Sequence, residues 1–132
     1  MPGLDGEKMS KSYNNFIALR EAPHVVEEKV RTMQTDPARV RLTDAGEPNH
    51  CPVYALHEVY SDEDTLAWAA EGCRSAGIGC VDCKKPLIEK INEEQAVYRR
   101  RAEQFVAAVA QCDRSAFICC ICACWGVSMH RR

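Results

Sequence analysis

The feature that most constrains this chain is an apolar seam near its carboxy-terminal end. Leu87, Ile91, Tyr98, Ala102, Phe105 and Val109 follow one another at intervals of three, four and seven residues, which is one face of an α-helix running for roughly seven turns. A helix of that length with one greasy side needs partners. The upstream sequence predicts three shorter ones. Ala22-Pro23 opens the first, since proline is tolerated in a first turn, and Glu27-Glu28 fall early, where the helix dipole favours acids. Val26, Val30 and Met33 give it a buried stripe, and it should end near Thr35 because Pro37 biases the residue before it away from helical geometry. Pro52 opens the second, with Val53, Leu56 and Tyr60 on one side; His57 lies one residue off that stripe and reads as a packing or surface histidine. Ser61-Asp62-Glu63-Asp64 resembles a capping box and starts the third, through Thr65, Leu66, Trp68 and Ala69, which the glycines of residues 72–79 break. Residues 36–49 are polar and read as a long loop. The expected fold class is therefore mainly α, a small helical bundle.

Length and charge narrow the function. The 132 residues suffice for one compact domain, and 46% hydrophobic with 27% charged residues suits a globular chain. Net charge is −2, so no global basic field advertises nucleic acid, and RNA contact would have to come from local groups. Candidates are Lys84 and Lys85, and Arg39 and Arg41, which would point the same way if the backbone around Val40 is extended. The alternative for both arginines is a solvated surface. Arg99-Arg100-Arg101 winds around its helix and reads as a solvated face. No apolar run approaches a membrane span and no signal peptide opens the chain, which leads us to expect a cytosolic protein without membrane contact. In that reducing setting the nine cysteines point to a metal site or free thiols rather than a disulfide scaffold.

Two clusters carry chemistry. Cys51, Cys73, Cys80 and Cys83 are spaced C-x21-C-x6-C-x2-C. The last pair can present two thiolates through a tight turn, and the other two fall at helix ends that an antiparallel hairpin would bring together. Four such ligands accept zinc or an iron-sulfur cluster, and ligand count does not choose between them; four unliganded thiols remain open too. A thioredoxin-type role for the last pair lacks its βαβ setting. The other cluster is the string PGLDGEKMSKSYNN. Two lysines and two serines between glycines offer donors and positive charge but no general base, so the natural partner is an anion such as a phosphate chain. A solvated loop is the bland alternative.

That string resembles the signature loop of class I aminoacyl-tRNA synthetases, in particular the tryptophanyl and tyrosyl families. The resemblance implies that Lys11 is the main catalytic contributor during amino-acid activation, with Lys8, Ser10 and Ser12 helping Lys11 hold ATP and its Mg2+. MQTDPARVR is similar to a stretch of bacterial tryptophanyl-tRNA synthetases and separates them from the tyrosyl family; CPVYALHEVYSDE and GCRSAGIGCVDCKKPLIE continue the likeness. The cysteine spacing is similar to that of the bacterial members that carry a [4Fe-4S] cluster near the anticodon-binding region, zinc being the alternative. The likeness further implies tRNA(Trp), ATP and L-tryptophan as partners, a homodimer for the intact enzyme, and a division into an ATP loop and connector over residues 1–20 and a helical anticodon-binding domain over 21–111. The loop belongs inside a longer enzyme, after a Rossmann domain that supplies the tryptophan pocket, so the chain is expected to be a carboxy-terminal part, inactive alone. A non-catalytic, metal- or cluster-binding RNA module is the competing reading. Beyond Gln111 the likeness fails. The cysteine-rich residues 112–132 fit an altered reading frame best, ahead of a truncated product or a second metal site, and receive no function.

Overall fold

The computed structural model describes residues 1–111; the cysteine-rich tail, with the readings attached to it, lies outside the described residues. Four helices follow the opening loop: α1 (Pro23–Thr32), α2 (Pro52–Tyr60), α3 (Glu63–Arg74) and α4 (Cys80–Gln111), with one 3₁₀ turn at Pro48–His50 ahead of α2. α4 packs against α1, α2 and α3, and α2 also packs on α3. Their shared core is Ile17, Val26, Val30, Met33, Val53, Leu56, Leu87 and Ile91. Each such side chain taken fully out of water contributes about 1.5–3 kcal/mol, so the stripes read from the sequence are what hold the bundle. No helix among the described residues is long and apolar enough to cross a membrane.

The seam on α4 is buried only in part. Leu87 and Ile91 are fully covered and Gln95 follows them inward, but Tyr98 is 42% and Phe105 66% exposed. The reason is length. At ~1.5 Å per residue, the 32 residues of α4 extend about 48 Å, whereas the 10 residues of α1 extend about 15 Å. The short partners run out before the seam does.

Local chemistry moves several boundaries. Pro23 does start α1, but no acid falls in its first turn; Glu27 sits one turn later and pairs with Arg31 at 3.3 Å on the surface. The helix ends at Thr32, short of Thr35, because Met33 turns extended and a lysine from α4 takes the carbonyls of Arg31 and Met33. α3 is capped by Asp62 rather than Ser61. The Asp62 carboxylate accepts from the Thr65 N–H at 3.0 Å and the Thr65 hydroxyl at 2.6 Å, and these bonds, with Lys90 beside it, hold its pKa down at about 2. Ser61 is engaged elsewhere, its hydroxyl 2.7 Å from His57 Nδ1.

The end of α3 contains a mismatch between residue and conformation. The Gly77 N–H reaches the Gly72 carbonyl at 2.9 Å and the Ala76 N–H the Cys73 carbonyl at 3.3 Å, a Schellman closure whose left-handed residue is Ala76, φ 54°. Glycine is the usual occupant because a Cβ there is strained. Ala76→Gly is expected to raise unfolding stability by about 1 kcal/mol, read as a higher urea midpoint at unchanged slope.

Candidate functional site

The loop of residues 2–15 is built as two limbs and a tip. Pro2 and Lys8 form an antiparallel bridge, the Gly3 N–H donates to the Glu7 carbonyl at 2.7 Å, and the reversal passes through Gly6 at φ 86°, a conformation open to glycine. At the tip the Ser12 N–H donates to Ser10 Oγ at 3.2 Å and the Asn14 N–H to the Lys11 carbonyl at 3.2 Å. Asn14 is left-handed, φ 52°, which asparagine tolerates better than most residues. Lys8, Lys11 and Ser12 are exposed and Ser10 is half-buried. The structure thus places all four sequence-predicted residues in one loop, Lys8 on a limb and Ser10, Lys11 and Ser12 at the tip, with both lysines exposed.

A connector joins this loop to the bundle. Ile17 enters the core. Lys29 of α1 donates to the Phe16 carbonyl at 3.0 Å, pairs with Glu21 at 2.6 Å, and stands 5.1 Å from the centre of the Phe16 ring. Glu21 in turn accepts the Ala18 N–H at 3.1 Å.

The four cysteines gather where α2, α3 and α4 meet, and the loop lies beside this region at Gly6, where a Cβ would come 3.0 Å from Pro52 Cγ. Cys51 caps the start of α2, Cys73 lies in the last turn of α3, and Cys80 and Cys83 occupy the first turn of α4. The last pair is therefore helical, three residues apart on one face, and not on the tight turn the sequence suggested; the helix begins earlier because its C-x2-C segment simply continues the seam's period. All four are free and half-buried. They are electrostatic neighbours: burial first, then Cys51, Cys73 and Cys80, push the Cys83 thiol up to about 12. Burial also raises Cys73, with the Arg39 guanidinium opposing it. Among the described residues no three Cys, His, Asp or Glu side chains stand close enough to hold a single metal ion.

The predicted RNA contacts divide. Arg39 and Arg41 differ in exposure. Arg39 turns inward, 9% exposed, donating from Nη2 to the carbonyls of Leu42 at 3.1 Å and Ile78 at 2.7 Å, with Nη1 4.0 Å from Cys73 Sγ. Lys84 is 5% exposed and its ammonium donates to Arg31 O at 2.8 Å and Met33 O at 2.7 Å. Neither is presented to a ligand: in each case buried carbonyls need the donor. Arg41 is exposed, and so is Lys85, paired with Asp82 at 2.7 Å. Arg39 and Arg41 also line a groove of about 360 Å³ with Leu42, Cys80 and Val81. His57 is fully buried, its Nε2 3.0 Å from the Cys83 carbonyl, a packing histidine whose pKa burial lowers.

Three residues that organise these sites escaped the sequence reading. Asn15 holds the loop. Asp36 accepts the N–H groups of Ala38 at 2.9 Å and Glu47 at 2.8 Å, bonds that lower its pKa and fold the 36–47 segment back on itself. Gly46 donates to the Cys73 carbonyl at 3.0 Å, and a Cβ there would come 2.7 Å from Cys73 Sγ. Asn14-Asn15 and Asp36-Pro37 are turn-forming pairs, which was the available signal.

A loop with two free lysines ahead of a helical bundle is matched as a whole by one family model, tRNA synthetases class I (W and Y), over residues 1–95, and the chain belongs to that family. Within it, the chain is 60% identical over 106 residues to the tryptophan--tRNA ligase of Ralstonia nicotianae, covering 80% of this chain and 26% of that relative. It is 46% identical over 97 residues to that of Thermotoga maritima, covering 73% and 30%. The chain thus spans between a quarter and a third of the length of these curated relatives. Its fold is like that of tryptophanyl-tRNA synthetase from Campylobacter jejuni, solved with ADP and tryptophan, at TM-score 0.72 and 24% identity over 80% of this chain and 33% of that one. The Aeropyrum pernix enzyme gives TM-score 0.68 at 29% identity, over 78% and 30%.

Proposed function

We propose that residues 1–111 are the phosphate-facing loop and the tRNA-binding helices of a cytosolic, homodimeric tryptophan--tRNA ligase, which activates L-tryptophan with ATP and transfers it to tRNA(Trp). Residues 1–20 are the ATP loop and connector and residues 21–111 the anticodon-binding domain. The observation that carries this reading is the loop itself: Lys8 and Lys11 stand exposed on a folded turn in a chain 60% identical to such a ligase. When the tryptophan carboxylate attacks the α-phosphorus, negative charge grows on the departing pyrophosphate. Lys11, on the tip, stabilises that charge without transferring a proton, and Lys8, Ser10 and Ser12 bind the phosphates. Mg2+ accompanies ATP.

Four free thiols brought together from the start of α2, the end of α3 and the start of α4 suit a [4Fe-4S] cluster held by Cys51, Cys73, Cys80 and Cys83. Bound there it would cross-link α2, α3 and α4 through four sulfur bonds. Arg39 and Lys84 lie close enough to offset its negative charge, and the exposed Arg41 and Lys85 are left for RNA phosphates. An anaerobically purified chain is expected to be brown and to contain iron and sulfide; a colourless chain with one zinc overturns the assignment.

The function is tested by mixing the full 132-residue chain with the part of the Ralstonia nicotianae relative that the match leaves uncovered. Tryptophan-dependent exchange of pyrophosphate into ATP is expected from the mixture and from neither piece alone. A stable mixture that binds tRNA(Trp) but never exchanges would instead support a non-catalytic RNA-binding module.

A further inference from the structure

We infer that Asn15 is the residue that positions the lysine loop for a phosphate chain, acting through Lys8 and Ser10 without touching the anion; this rests on the ATP-loop reading above. Asn15 is 4% exposed although its neighbours at 11–14 are all open to solvent. Its carboxamide is fully engaged. Oδ1 accepts the Ser10 N–H at 2.7 Å, and Nδ2 donates to both Asp5 carboxylate oxygens, at 2.8 and 3.0 Å, and to the Lys8 carbonyl at 3.3 Å. Its own carbonyl accepts the Leu4 N–H at 2.9 Å. The seat is shaped for it: a Cβ on Gly3 would come 2.5 Å from Asn15 Nδ2.

These bonds divide the loop into two mechanical parts. One side chain ties together both limbs, at Asp5 and at Lys8 to Ser10. Among the described residues, the 11–14 tip is closed by its own turn, the two bonds from the Ser12 and Asn14 N–H groups. Lys8 therefore stands on a fixed base and Lys11 on a compliant one. A fixed ammonium sets where the phosphates rest, and a compliant one can follow charge as it moves during the reaction. Asn15 also holds the Asp5 carboxylate, whose Oδ1 accepts the Glu7 N–H at 3.0 Å as well as Asn15 Nδ2, which keeps that negative charge from pairing with the lysines. No such role is visible from composition: Asn15 is one polar residue in a run of polar residues.

The test is calorimetric titration of inorganic pyrophosphate into the full chain. Asn15→Ala is expected to weaken binding about tenfold, the equivalent of one net hydrogen-bonding contribution to placing the site. Asn15→Asp should do the same, because it sets carboxylate against carboxylate. The exchange variant Asp5→Asn/Asn15→Asp should recover part of the affinity, since amide and carboxylate trade sides and the Ser10 and Glu7 N–H groups keep their acceptors, while the Lys8 carbonyl loses its donor. Lys8→Ala should weaken the wild type but add little to Asn15→Ala, a non-additivity that simple loss of stability does not produce. Ser10 amide exchange should quicken in Asn15→Ala and return to normal in the exchange variant. Unchanged affinity in Asn15→Ala, additive effects with Lys8→Ala, or no recovery in the exchange variant would each overturn the positioning role alone. A wild-type chain that binds no pyrophosphate overturns the ATP-loop reading and this inference with it.

Discussion

Lys11→Ala is expected to lower tryptophan-dependent pyrophosphate exchange by the reconstituted enzyme at least about a hundredfold, the usual loss when one preorganised charge-stabilising group is removed. The loss should fall on kcat, because an ammonium on the compliant tip acts mainly once charge has developed, and KM for tryptophan should not move. Stability should not move either. Lys11 is exposed and its side chain holds no part of the bundle, so the thermal midpoint of Lys11→Ala should match wild type within about 1 °C, an exposed substitution being worth under about 0.5 kcal/mol. Lys11→Arg restores charge but not the compact ammonium, and should recover only part of the rate. Equal kcat in wild type and Lys11→Ala would remove the loop from the chemistry.

The second large effect concerns stability. Lys84→Ala is expected to destabilise the chain by about 3 kcal/mol, because two charge-assisted hydrogen bonds are lost at once and two carbonyls at the end of α1 are left without a donor. Denaturant titration reads this directly. Lys84→Met keeps the buried stem and removes only the ammonium, so it should retain most of the loss; if it proves as stable as wild type, the two bonds contribute nothing net. The neighbouring Lys85→Ala is the control. Its partner Asp82 is on the surface, where such pairs contribute about 0–1 kcal/mol.

Adjacent lysines with opposite fates show what was and was not legible in the sequence. Helix existence and the core stripes were legible, because Val26, Val30, Leu56, Leu87 and Ile91 obey a period that burial enforces. Exposure of a charged residue was not. Lys84 follows Cys83 in the first turn of α4, and only the placement of α1's end against that turn turns it inward. Arg39 is the same case, drawn in by the carbonyls of Leu42 and Ile78, which lie far apart in sequence. The capping box slipped by one residue for a related reason: His57, a turn away on α2, takes the Ser61 hydroxyl, and Asp62 is left to cap α3. The loop lysines stand out in the sequence because a family string contains them, whereas Asn15 does not, since its contacts with Asp5, Lys8 and Ser10 are not encoded in local pattern. The length of the seam was over-read because periodicity reports that a face is apolar, not that a partner is long enough to cover it.

The two contacts between α4 and the ends of α1 have one more consequence. Lys84 grips the carbonyls of Arg31 and Met33, and Arg99 donates to the Glu21 carbonyl at 3.0 Å, just ahead of α1. The helices run antiparallel, and the grips are 15 residues apart, about 22 Å of rise along α4. Two pins at that separation fix the register: α1 can neither slide by a turn nor swivel without releasing one of them. Because Lys29 of α1 also holds the Phe16 carbonyl, the connector that leads to the lysine loop is registered against α4 by the same two pins, and it shifts only if α1 shifts with it.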